Sequence, residues 1–232
     1  MRLLAAAQSV PKAGRSGDEN EDAFELDDAK GRYAVADGVS TAARPEIWSQ
    51  LLVHAFVEEE VSVAKPDTLR DLATRWRDLT TGVDLPWYAE EKLALGSSAT
   101  FVGLAVHHAS GNFTAEAVGD TCLFHVRRGT LLASYPLTRS DQFGRTPAQI
   151  TTMTASGADQ VGVLDGQGES WDQLIIATDA MAKFLLYVYE QRGEFPAIID
   201  LAHGSHFQEY VQIHRDLRTL DNDDTTLCVV TI

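Results

Sequence analysis

The chain opens with short apolar runs separated by turn residues. "RLLAAAQSV" (2–10), "DAFEL" (22–26) and "RYAVADG" (32–38) are of strand length, parted by a polar stretch through Asn20 and by the turn "DDAKG", so the pattern predicts three strands. From Arg44 the apolar positions move to helical spacing: Ile47, Leu51, Leu52, Ala55 and Phe56, then, after Pro66, Leu69, Leu72, Ala73, Trp76 and Leu79. Two helices are predicted there. After Gly96 strand-like runs return in "SSATFVGLAVHH", "NFTAEAVGD", "TCLFHVRRG" and "TLLASYPL", with "ASGN" and "RRGT" as hairpin turns, which predicts an antiparallel meander.

The segment from Thr138 to Ser170 is polar and glycine-containing, with weak strand signals near Val161 to Leu164. A connection of that length in a compact domain is usually functional, so it is expected to be a flap over a site. A strand "WDQLIIATD", a helix "AMAKFLLYVYEQRG" ending near Gly193, helices in "FPAIIDLA" and "HFQEYVQIHRDLRTL", and a closing strand "TTLCVVTI" follow. Helices grouped in blocks argue for α+β with antiparallel sheets and against a parallel, dinucleotide-binding arrangement. No linker or composition shift divides residues 1–232, so one domain is expected.

Composition narrows the class. With 44% hydrophobic and 23% charged residues, and no apolar stretch near the ~18 residues of a membrane span, neither disorder nor insertion is expected. Cys122 and Cys228 each sit inside an apolar run, which suits buried thiols in a reducing compartment, hence the cytoplasm. A formal charge of −15 disfavours nucleic acid and anionic lipid as partners and is compatible with cation binding.

The acidic residues carry the chemistry. Asp37, Asp120 and Asp179 each close an apolar run, and Asp223 and Asp224 open the last one. Strand-end carboxylates can converge, and converging carboxylates repel unless a cation or protons neutralise them. A hard, oxygen-seeking ion such as Mg²⁺ or Mn²⁺ is the natural partner. Each position also has an ordinary reading: Asp37-Gly38 as turn residues, Asp179 as a helix N-cap, and "DNDD" (221–224) as a polar loop.

Taken in order, "NEDAF" (20–24), "AVADGVS" (34–40), "GSSATFVGLAV" (96–106), "AVGDTCLFHVRRG" (117–129), "LIIATDA" (174–180) and "DDTTLCVV" (223–230) resemble the type 2C metal-dependent protein phosphatases (the PPM family), and their compact bacterial branch in particular. The resemblance implies a four-layer αββα sandwich of two antiparallel β-sheets flanked by helices. It implies two ions: Asp37 bridges them, Asp179 and Asp223 complete one, and Glu21 with the Gly38 carbonyl completes the other. Asp22 would orient the attacking water, which displaces phosphate from Ser or Thr in line, without a phosphoenzyme. The implied substrate is a phosphorylated protein, a Ser/Thr kinase or its target.

The chain departs from that pattern at its rim. Where many members carry a phosphate-binding Arg, five residues before Asp22, it has Gly17, and Arg15 is the nearest guanidinium. Many members hold a third ion through the counterpart of Asp120 and an Asp four residues after that of Asp179; here the latter is Lys183, which argues against a third ion of the usual kind. The His that animal members carry after their "DG" is absent, and the histidines here are expected to be structural. These departures leave two other readings open: a pseudophosphatase acting as a binding module, and a two-metal hydrolase of small phosphate esters.

Overall fold

The computed structural model describes residues 2–81, 87–144, 146–153 and 157–232. Strands β1 (Leu4–Val10), β2 (Asp22–Asp27) and β3 (Arg32–Gly38) lead into helices α1 (Pro45–Val57), α2 (Pro66–Thr80) and α3 (Trp87–Ala94). The meander is β4 (Ser98–Val106), β5 (Asn112–Val118), β6 (Cys122–Arg127) and β7 (Thr130–Tyr135). It is followed by β8 (Ile150–Thr151), β9 (Gly162–Gln167), β10 (Gln173–Ala177), α4 (Asp179–Arg192), α5 (Ile199–His203), α6 (Phe207–Asp216) and β11 (Thr225–Thr231).

The strands form two sheets, ordered β1-β11-β10-β6-β7 and β2-β3-β4-β5-β9, with β8 beside β4. Every pairing between these neighbours is antiparallel. Side chains alternate across a strand, so each strand feeds two layers. On β10, Ile175 and Ala177 pack toward Phe184 and Leu185 of α4, whereas Leu174 and Ile176 pack toward the other sheet. On β3, Ala34 and Ala36 face Trp48 and Phe56 of α1, while Tyr33 and Val35 face inward. Three apolar layers result, the αββα order expected from the sequence. The layers close tightly: a Cβ on Gly103 would lie 2.7 Å from the Phe56 ring, so only glycine lets α1 approach β4 there.

Local signals explain several boundaries. The β6–β7 turn places Arg128 and Gly129 at φ of 50° and 78°, the left-handed pair that a two-residue hairpin needs. Helix α4 ends as Gly193 takes φ of 71° and caps the Tyr189 carbonyl, the usual glycine C-cap.

Three expectations change. The helical block after β3 contains a third helix, α3. The 195–202 run is helical only over Ile199–His203. The predicted flap, of which residues 145 and 154–156 lie outside the described residues, is partly built into the second sheet. β9 pairs with β5 from Asn112↔Gln167 to Ala117↔Gly162, and β8 pairs with the start of β4. Gly162, Asp165 and Gly166 weaken the strand signal, and pairing with β5 supplies the hydrogen bonds that local propensity does not. Among the described residues no helix is long and apolar enough to cross a membrane.

Candidate functional site

The antiparallel topology brings the acidic strand ends to one end of the sandwich. Asp22 opens β2 and is the register partner of Asp37 near the end of β3. Asp179 follows β10, Asp120 follows β5, and Asp223 and Asp224 precede β11. Gly38 lies where the chain leaves the sheet: a Cβ there would sit 2.7 Å from the Glu21 carbonyl and 2.8 Å from Pro45 Cβ. The Gly38 N–H also donates to that carbonyl at 3.2 Å.

Asp22 joins the two sheets. Its Oδ2 accepts hydrogen bonds from Thr178 Oγ1 at 3.1 Å and Thr226 Oγ1 at 2.7 Å, both on the opposite sheet's strand ends. Its Oδ1 is buried with no hydrogen-bond partner among the described residues. Asp224 is a second organiser: Oδ1 accepts from Lys12 N–H at 2.7 Å and Oδ2 from Glu21 N–H at 2.8 Å. It thereby places Glu21 beside the strand ends. Sequence alone marks Asp224 as a strand-end carboxylate but not as a brace, and gives no signal for Thr178 and Thr226, because a hydroxyl or carboxylate serving as a brace has no local pattern of its own.

The electrostatics are unbalanced. Burial pushes the Asp37 carboxyl well above its ordinary range, and Asp22, Asp179, Asp120 and Asp223 push further. Asp22 is raised by burial, with Asp224 and Asp179 adding to it. Asp179 is pushed up to about 7 by burial and by Asp120 and Asp223, and Asp120 to about 6 by burial. Glu21 is raised by burial, against a hydrogen bond from Ser40. Several carboxylates raising one another's pKa is the signature of missing positive charge.

Three cations lie at the rim. Arg15 Nη1 is 3.6 Å from Glu21 Oε1, and Lys12 Nζ is 3.2 Å from Asp223 Oδ1. Lys183 pairs with Asp221 Oδ2 at 2.6 Å, turned to neither Asp120 nor the centre. Gly17 is exposed, with open space around it.

The donor set fits a hard divalent ion. Its atoms are carboxylate oxygens, one is orphaned in the interior, and the group repels itself for want of charge. The fit is chemical rather than preformed: among the described residues no three His, Cys, Asp or Glu side chains are gathered closely enough to enclose one ion. Asp179 shows why, since its Oδ1 takes the Ala180 N–H at 2.5 Å and helps start α4, with Thr178 as N-cap.

His125 is buried against Asp172, while His107 and His108 flank the β4–β5 turn.

The whole architecture recurs in solved phosphatases. Stp1 from Staphylococcus aureus is 13% identical, with a TM-score of 0.67 over 100% of this chain and 96% of that one. PppA, a key regulatory component of T6SS in Pseudomonas aeruginosa, is 20% identical, with a TM-score of 0.64 over 100% and 98%. The catalytic domain of the serine threonine protein phosphatase PstP, in complex with two manganese ions, is 14% identical, with a TM-score of 0.61 over 99% and 97%. At these identities the likeness shows the fold alone. No curated protein matches the chain by sequence. The family described as protein phosphatase 2C, however, matches residues 11–219, a span that carries Glu21, Asp22, Asp37, Asp120 and Asp179. On that match over most of its length, the chain belongs to the protein phosphatase 2C family.

Proposed function

We propose that the chain is a divalent-metal-dependent phosphatase acting on phosphoSer or phosphoThr of a protein. The observation that carries this reading is the convergence of Asp22, Asp37, Asp179 and Asp223 at one sandwich end, where Asp22, Asp179 and Asp223 all raise the pKa of Asp37 and Asp223 also raises that of Asp179. Asp37 would serve both ions. Asp179 and Asp223 would hold one, Glu21 and the Gly38 carbonyl the other. Bound there, Mg²⁺ or Mn²⁺ would lower the pKa of water to give a nucleophile and would offset phosphoryl charge.

The chain's own groups do the rest. Asp22, fixed through Oδ2 by two threonines, has Oδ1 free to accept a proton-bearing partner and hold water in line. Arg15, exposed beside Glu21, would bind substrate phosphate in the absence of an Arg at 17. Asp120 is the carboxylate that would serve a third ion, but with a lysine at 183 in place of a second carboxylate the reading is of two. A phosphorylated kinase or its target is the proposed substrate, and the buried free thiols Cys122 and Cys228 suit the cytoplasm.

The test is hydrolysis of an aryl phosphate and a phosphoThr peptide with Mn²⁺, with chelator, and in Asp37→Asn. Turnover should need Mn²⁺ and fall at least about a hundredfold in the variant, the scale on which metal sites respond. A wild type no faster than Asp37→Asn would end the reading and favour a non-catalytic binding module.

A further inference from the structure

The loop around Lys12 is fastened to the loop before β11. Lys12 N–H donates to Asp224 Oδ1 at 2.7 Å and Ala13 N–H to Asn222 Oδ1 at 2.9 Å. Arg215, on α6, ties the same two loops: Nη1 donates to the Pro11 carbonyl at 2.9 Å, and Nη2 donates to the Asp223 carbonyl at 2.5 Å and to Thr225 Oγ1 at 3.0 Å. An unrestrained Lys–Asp pair at a surface contributes little, because two long side chains must be ordered to make it. Here the backbones on both sides are already held, so only side-chain freedom remains to be lost. The Lys12 ammonium is thereby aimed at Asp223 Oδ1, 3.2 Å away.

We propose that Lys12 is a tethered counter-ion for Asp223: it holds that carboxylate in the metal-free protein, and a divalent ion must displace it to use Asp223 as a ligand. The proposal rests on the reading of Asp223 as a metal ligand. Its consequence is that the chain weakens its own metal affinity on the Asp179–Asp223 side, while on the Glu21 side the cation met among the described residues is the more distant Arg15. Displacement needs no backbone change. Lys12 is 35% exposed at its side chain, and a cavity of about 530 Å³, lined in part by Pro11, Arg15, Gln212 and Arg215, adjoins it. Once displaced, the ammonium stays within the same loop, so total positive charge at the rim rises when the ion enters.

The experiment is calorimetric titration of Mn²⁺ into metal-free wild type, Lys12→Met, Lys12→Arg and Asp223→Asn, with thermal melts of each. Lys12→Met should bind Mn²⁺ about threefold to tenfold more tightly, the scale of a part-exposed charge pair plus relief of cation–cation repulsion. Its metal-free form should melt lower than wild type, and Lys12→Arg should bind as wild type does. If Lys12→Met does not melt cooperatively, Lys12→Gln carries the same expectation. Unchanged or weaker binding in the neutral variant, beside a weakened Asp223→Asn, would overturn the proposal and leave the function standing. Wild-type affinity in Asp223→Asn would overturn the ligand reading and the proposal with it.

Discussion

Strand β10 has an aspartate at each end, Asp172 fully buried and Asp179 half-buried, and the two live in opposite electrostatic worlds. Asp172, just before the strand, is fully buried, yet it accepts from Arg127 Nε and Nη2 at 2.8 Å each, from the Glu169 N–H at 2.9 Å, and stands 2.7 Å from His125 Nε2. Burial alone would raise its pKa; Arg127, the Glu169 N–H and His125 outweigh it and pull it down to about 2. Asp179, just past the other end, has carboxylates for neighbours and is pushed up to about 7. A buried carboxylate with its own cation is a structural brace. One surrounded by its own kind is suited to a cation from outside.

Breaking the functional end should have the largest effect. Asp37→Asn is expected to abolish at least about 99% of Mn²⁺-dependent turnover on either substrate while leaving the melt of the metal-free protein at or above that of wild type, because one repelling charge is gone. Breaking the structural end should do the converse. Asp172→Ala leaves Arg127 and His125 without their shared partner and should cost ~2–4 kcal/mol in urea denaturation, with Mn²⁺ affinity unchanged.

Acid and base sharpen the same contrast. Asp172 has a folded pKa below its unfolded value of 3.8, so its contribution is present above about pH 4 and is lost as pH falls toward about 2. Asp179 has a folded pKa raised to about 7. The metal-free native state therefore holds the extra proton between about pH 4 and 7, and stability falls as pH rises through that range. Thermal melts in chelator should show a higher Tm at pH 6 than at pH 8, and added Mn²⁺ should raise Tm more at pH 8. Equal Mn²⁺ shifts at both values would break the account. The smallest effect is expected at Arg15, which is exposed: Arg15→Ala should raise KM for aryl phosphate several-fold with less change in kcat.

Much of this was legible in the chain. Period-two runs ending in Asp marked β3, β5 and β10, and the block order of strands and helices marked α+β with antiparallel sheets, because alternation and helical spacing are local consequences of facing a core; the four-layer sandwich was implied by the family resemblance. β9 was faint because Gly162 and Gly166 are accepted for close packing, against Tyr135 and Phe113, and such contacts leave no trace in their own segment. The firm candidates Asp37, Asp179 and Asp223 all stand at the expected strand ends. The braces were invisible for a related reason: Thr178, Thr226 and Asp224 are common residues whose partners lie far along the chain, as in the Asp22–Thr226 bond across 204 positions.

By itself, then, the sequence determined the layers and which strands end in a carboxylate, since periodicity and turn chemistry act over a few residues. Only the tertiary structure decided which of those carboxylates are compensated. Asp172 meets Arg127 across two paired strands, Asp223 meets Lys12 across 211 positions, and among the described residues no cation pairs with Asp37 or Asp22. Charge acts through space, so the division between brace and binding site exists only after the sheets have closed.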